Sequence, residues 1–298
     1  MKKNQSVDLL NGPIFKSLSL LAIPIMATYF IQMAYNLVDM LWIGFLGSGA
    51  VASIGVSGNF MYLANGLVNM PKIGSQALVG QSLGANNQEQ TKNYIQAAFQ
   101  SSLFFALIYG IIIIVFQKYL IQLFNLSDPA IIQDAQNYLW ITCGFIVFSF
   151  VNQIFTGILT AAGHSKSTFI ATTTGLVLNL ILDPVLIFVF NLRVIGAALA
   201  TILAQIIVTL VFLYNAKNLD LFRNIRILSK PELNHISEIL KIGFPSSVQS
   251  MLFTCISMYI ARLISSFGAI SVAVQKVGSQ IESISWMAAD GFSASINA

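Results

Sequence analysis

Long stretches without a charged residue dominate the chain and set its reading. A helix rises about 1.5 Å per residue, so about 20 apolar residues cross the hydrocarbon core of a bilayer. Runs of that length extend over Ser17 to Val38, Met40 to Pro71, Asn93 to Gln117, Ala135 to Gly163, Val194 to Ala216 and Ile242 to Ala261. Two more carry isolated charges. Ser167 to Leu192 holds Asp183, and Leu263 to Ala298 holds Lys276, Glu282 and Asp290. Turn chemistry separates the runs at Gly47-Ser48-Gly49, Gly84-Ala85-Asn86-Asn87, Ser127-Asp128-Pro129 and Gly163-His164-Ser165. The pattern predicts an all-α integral membrane protein, a polytopic helical bundle of about eight transmembrane helices.

Composition agrees. Of 298 residues, 56% are hydrophobic and 9% charged, against about 25% charged in soluble proteins. The net charge of +4 belongs to loops rather than to a nucleic-acid-binding face, because no basic surface interleaved with aromatics exists. With the N-terminus inside, the inner segments hold Lys2, Lys3, Lys16, Lys92, Lys166, Lys217, Arg223, Arg226, Lys230 and Lys241, and the outer ones only Lys118, Arg193 and Arg262. That bias predicts a cytoplasmic N-terminus in the cell (cytoplasmic) membrane. Cys143 and Cys255 lie in apolar runs and read as small hydrophobes.

The longest polar stretch, Lys217 to Lys241, reads as a cytoplasmic linker. It follows a six-helix lobe, residues 1–216, and precedes the first two helices of a second lobe, residues 242–298. A repeat supports this division. At an offset of 221 residues, Ile23-Pro24 falls on Phe244-Pro245, Leu46-Gly47 on Phe267-Gly268, Val51-Ala52 on Val272-Ala273 and Ala77 on Ala298. Parallel repeats with the ligand site between halves are common in transporters. The second copy stops inside a predicted span, so the chain is expected to be a C-terminally truncated piece of a two-lobe, twelve-helix protein.

Ionisable groups inside a bilayer are functional candidates because burying them is costly. Asn36 and Asp39 share one helix face, and so do Asn179 and Asp183. Counting residues from Arg193 and from Gly47 puts Asp183 about 15 Å deep, and Asp39 and Thr201 about 12 Å deep. Three helices therefore bring oxygen ligands to one level. Two carboxylates, an amide and a hydroxyl suit Na⁺, with Asp39, Asn179, Asp183 and Thr201 as its ligands; they equally suit a proton. Pro184 removes its own N–H and is expected to free the carbonyl of Leu180. Glu282 and Asp290, with Gln249, Gln275 and Gln280, are candidates to line a substrate cavity. Pro24, Pro71 and Pro245 are candidate kink positions in other spans. Gly80 to Gly84 reads as a GxxxG that permits close helix packing. No nucleophile–base pair or metal motif suggests an enzyme, and no cofactor is called for beyond a coupling ion, Na⁺ or H⁺.

The motifs Ile23-Pro24, Asn36 to Gly44, Leu78 to Ala85, Thr160-Ala161-Ala162-Gly163, Asn179 to Pro184, Gly196-Ala197-Ala198 with Thr201, and Ile242-Gly243-Phe244-Pro245 resemble the multidrug and toxic compound extrusion (MATE) family. The resemblance implies a twelve-helix antiporter that exports organic, often cationic, small-molecule drugs in exchange for Na⁺ or H⁺. It also implies a first-lobe cation site at Asp39, Asp183, Asn179 and Thr201, with Asn152 as a further site position. The full-length protein is expected to be a monomer in the lipid bilayer. Two other readings stay open: a flippase of lipid-linked sugars, for which several pyrophosphate-binding Arg or Lys would be required, and a non-transporting fragment.

Overall fold

The computed structural model describes residues 27, 30, 34, 37–217, 219–223, 225 and 229–296. Pro24 and Asn36 lie outside the described residues, as do the side chains of Gln280 and Asp290. The described chain is helical, with no strand. The end of the first helix, α1, covers residues 37–44. Then follow α2 (Ser48–Gly84), α3 (Gln88–Gln122), α4 (Pro129–Gly144), α5 (Ile146–Ala161) and α6 (Ser165–Pro184). A π-helical turn (Val185–Val189) leads to α7 (Arg193–Lys217), α8 (Leu233–Ser265) and α9 (Ala269–Ile296).

The helices start and stop where the local chemistry directs. Asn87 caps α3 by accepting the Gln90 N–H at 3.0 Å. Asp128 caps α4 by accepting the Ala130 N–H at 2.8 Å, with Pro129 at the first helical position. The α1–α2 turn depends on Gly47, whose φ of +103° suits a residue without Cβ. Gly268, 221 residues later, has φ +99°. The two turns share their hydrogen bonds. Gly47 N–H donates to Gly44 O and Gly268 N–H to Ser265 O, both at 3.0 Å, while Leu46 to Ile43 and Phe267 to Ile264 are likewise 3.0 Å. The sequence repeat is thus a repeat of backbone geometry.

Five described helices, α2, α3, α6 with its π turn, α7 and α8, are long and apolar enough to cross a membrane, and the pair α4–α5 makes a sixth. That pair differs from expectation. The charge-free run Ala135 to Gly163 predicts one span, but the helix breaks at Phe145 and the halves are bent by 49°. The run Met40 to Pro71 is also divided otherwise. Its first residues complete α1, and α2 continues unbroken through Pro71 and Lys72 to Gly84. Pro245 likewise sits inside the continuous α8, which begins at Leu233. On α3, Leu107, Ile111, Val115 and Tyr119 follow one another at four-residue spacing and all are exposed. In lipid such a stripe is the outer surface and needs no protein cover.

Helix α2 is the hub, packing against α3, α4, α5, α8 and α9. Its contact with α8 is made by glycine. A Cβ on Gly74 would stand 2.0 Å from the carbonyl oxygen of Ile239, and one on Gly243 would stand 1.9 Å from that of Met70. The GxxxG reading is corrected here. Gly84 has nothing within 4 Å of its Cβ position and Gly80 has only Ala161 at 3.9 Å, so the close approach uses Gly74 and Gly243 instead. Ser247 adds a 2.8 Å hydrogen bond to the carbonyl of Gly66. Two apolar clusters flank this hub. One is built on Phe60, Phe124, Leu139 and Phe150, the other on Phe99, Phe155, Ile158 and Phe212. Gly74→Val and Gly243→Val are each expected to cost about 3 kcal/mol, at the upper end of overpacking penalties. Gly84→Ala should be near neutral, and thermal midpoints of the purified protein in detergent check the contrast.

Candidate functional site

The acids on distant stretches of the sequence meet in space. Asp39 on α1 and Asp183 on α6 are immediate neighbours, each within the electrostatic and hydrogen-bonding reach of the other. Tyr138 on α4 stands beside both and beside Thr201 on α7. From α9, Lys276 lies close enough to act on Asp39 and places its Nζ 5.1 Å from the centre of the Tyr62 ring. The Lys276 stem packs beside Gly55, 3.7 Å from where a Cβ would stand.

Local backbone geometry sets the place of Asp183. Because Pro184 has no N–H, the ladder shifts: the Val185 N–H turns to Leu182 O, and Phe190 N–H reaches back to Val185 O at 3.0 Å in the π register. Asp183 and Asn179 are one turn apart and face inward, with exposures of 0% and 2%. Neither has a satisfied side chain. Both carboxylate oxygens of Asp183 and both amide atoms of Asn179 are buried without a hydrogen bond of ordinary geometry. Buried polar groups are seldom left so. Such orphaned oxygens beside a second carboxyl fit a bound cation or a proton, and the donor set, carboxylate, amide and hydroxyl, is that of a hard ion.

Below this pair, toward the turn at residues 162–164, a chamber of about 280 Å³ opens between α2, α5, α6 and α7. Its walls are polar stripes at helical spacing. On α5 the stripe is Ser149, Asn152, Gln153, Thr156 and Thr160; on α6 it is Ser165, Thr168, Thr172 and Asn179. Thr201 and Gln205 supply the α7 wall, and Lys72 and Gln76 the α2 wall. Asn152 is held on both sides. It donates to the Gln205 Oε1 at 2.8 Å and accepts from the Thr209 hydroxyl at 2.8 Å. Gln153, Gln205, Thr209 and Tyr138 were not among the residues singled out from the sequence. The signal for several was present: polar residues recurring every three or four positions in an otherwise apolar span mark an inward face.

The other candidates fall elsewhere. Gln249 and Glu282 are exposed and Gln275 is half-buried, on α8 and α9, and none lines the chamber. Glu282 accepts a long 3.4 Å hydrogen bond from the Trp286 indole. Of the two spanning lysines, Lys72 pairs with Gln153 and Lys276 approaches Asp39, so neither pairs with Glu282.

The family model MatE matches residues 24–185, more than half of the chain. The chain belongs to the MATE family. The multidrug export protein MepA of Staphylococcus aureus (strain bovine RF122 / ET3-1) is 26% identical over 279 residues, which are 92% of this chain and 61% of MepA. The probable multidrug resistance protein NorM of Thermotoga maritima is 27% identical over 291 residues, 95% of this chain and 62% of NorM. This chain thus spans somewhat over three-fifths of the curated relatives it matches. Among solved structures, an outward-facing multidrug resistance MATE family transporter of the MOP superfamily aligns with a TM-score of 0.86 at 24% identity, over 99% of this chain and 66% of that one. An inward-facing one aligns with 0.80 at 23%, over 92% and 64%. The fold is that of a polytopic, all-α MATE membrane transporter.

The geometry separates two asparagines that look alike in sequence. Asn152→Ala strips partners from Gln205 and Thr209 and should lower the thermal midpoint by the equivalent of about 1–3 kcal/mol. Asn179→Leu removes an amide that has no partner and should leave stability unchanged or raised, while weakening any Na⁺-induced rise in midpoint. Melting both variants with and without NaCl checks this.

Proposed function

We propose that this MATE chain carries the ion-coupling and ligand chamber of a cation-coupled multidrug antiporter of the cytoplasmic membrane. The observation that carries the reading is the pair of half-buried Asp39 and fully buried Asp183, the latter with neither carboxylate oxygen in a hydrogen bond of ordinary geometry and one helical turn from Asn179 in the chamber wall. Residues 1–216 form the first lobe, 217–241 the cytoplasmic linker and 242–298 the start of a second. The repeated turns at Gly47 and Gly268 support that division. The excess of Lys and Arg on one side supports a cytoplasmic N-terminus.

The chemistry follows from the dielectric. Two carboxylates side by side away from water repel each other and lose hydration, so the site favours taking up Na⁺ or H⁺ before it closes. An organic cation entering the chamber offers the same compensation to the pair. Only one needs to be present at a time, and exchange of one for the other is antiport. Coupling requires that each bind one conformation better than the other. Asn179, one turn from Asp183, and Thr201, beside Tyr138, both line the chamber, which supports a role for them where ion and compound compete.

The test is efflux of ethidium from cells expressing the chain. Asp39→Asn and Asp183→Asn are each expected to abolish efflux at unchanged expression. Efflux that persists in both variants would remove the acid pair from the mechanism, and an inactive parent chain would remove the exporter reading.

A further inference from the structure

The chamber holds one formal charge of its own, and that charge is positive. The Lys72 side chain enters from α2 between the two polar stripes. Its stem is admitted by Gly157, where a Cβ would lie 3.2 Å from Lys72 Cγ and 3.2 Å from the Lys72 carbonyl oxygen. The ammonium donates one hydrogen bond, to Gln153 Oε1 at 2.7 Å. Among the described residues no carboxylate is within ion-pair distance of it, and no Asp or Glu lines the chamber. Lys72 is half-buried, and among the described residues a neutral amide is its one hydrogen-bond acceptor, so its charge is left uncompensated by protein.

The surroundings are donors. Gln153 commits its oxygen to Lys72, which leaves its amide NH₂ to donate. The Thr168 hydroxyl is buried, lines the same chamber and has no partner. Ammonium, amide NH₂ and hydroxyl together form a set that lacks one thing, an acceptor of negative charge. We infer that Lys72, Gln153 and Thr168 form an anion subsite that takes the carboxylate of a small organic acid into the chamber. It lies on the cytoplasmic side of Asn152, away from the acid pair, so the chamber itself offers a cationic pole to a ligand. The inference deepens the proposed role of the chamber as a ligand site, and it rests on that role but not on export.

Equilibrium binding tests it without transport. Hippurate and its neutral, nearly isosteric amide, hippuramide, differ by a single charge and are small enough for 280 Å³. Saturation-transfer NMR on the purified chain in detergent is expected to show hippurate binding more tightly than hippuramide. Lys72→Gln should weaken hippurate by about tenfold, the loss of one charge-assisted hydrogen bond, with hippuramide little changed. Gln153→Glu is the second variant, because it keeps the shape and gives Lys72 an internal carboxylate; the same loss is expected without risk to the fold. Equal affinity of the parent chain for the two compounds, or a hippurate preference that survives Gln153→Glu, would overturn the subsite. Because binding is read directly, a chain that fails to export ethidium but still discriminates the pair leaves the subsite standing.

Discussion

Gly74 and Gly243 let α2 and α8 meet backbone to backbone, and the rest of the bundle is arranged around that contact. In lipid no hydrophobic force draws helices together, so association relies on close van der Waals approach and on interhelical hydrogen bonds. A methyl group at either glycine would overlap a carbonyl of the partner helix. With the two backbones in contact, Ser247 reaches Gly66 O, and α2 is placed to serve α3, α4, α5 and α9 at once. The Lys276 stem from α9 packs on α2 at Gly55, at the ordinary contact distance of 3.7 Å from the position of a Cβ there. Since positions 55 and 276 are also 221 residues apart, the two copies of the repeat touch at equivalent points.

Polarity is distributed by the same constraint. Leu107, Ile111, Val115 and Tyr119 face outward at no cost because the solvent there is apolar. Every buried hydroxyl and amide must instead find a partner or a purpose. Most find a partner: Ser57 donates to Ala135 O at 2.8 Å, Thr209 to Asn152 and Lys72 to Gln153. The exceptions are spread over several helices: Trp42 Nε1 on α1, Ser102 Oγ on α3 and Thr173 Oγ1 on another face of α6 have no partner, while Asp183, Asn179 and Thr168 share the inward face of α6. The groups on that face are not used in helix-to-helix hydrogen bonds.

The repeat is not symmetric where the chemistry is. The turn at Gly47 recurs at Gly268 with the same hydrogen bonds, but the position equivalent to Asp39 is Ile260. The duplicated feature is the scaffold, and the acid pair belongs to the first copy alone. Lys276 supplies the second copy's contribution to it, a positive charge near Asp39.

By itself the sequence determined the membrane class, the positions of the four turns, the repeat and the pairing of Asn179 with Asp183 on one face. All of these depend on short-range rules: the length an apolar helix needs to cross lipid, the residues that cap or turn a chain, and the spacing that puts i and i+4 together. The polar stripe of α5 was equally legible, since Ser149, Asn152, Gln153, Thr156 and Thr160 recur at helical spacing. The tertiary structure alone decided which faces meet. It brought Asp39 to Asp183, set Tyr138 beside them, broke the fourth span at Phe145, moved the close packing from Gly80–Gly84 to Gly74 and Gly243, and gave Lys72 an amide for a neighbour. Residues far apart in sequence become neighbours only through the rotation and tilt of whole helices. Those are fixed by packing at contacts such as Gly74 with Ile239, which no local pattern encodes.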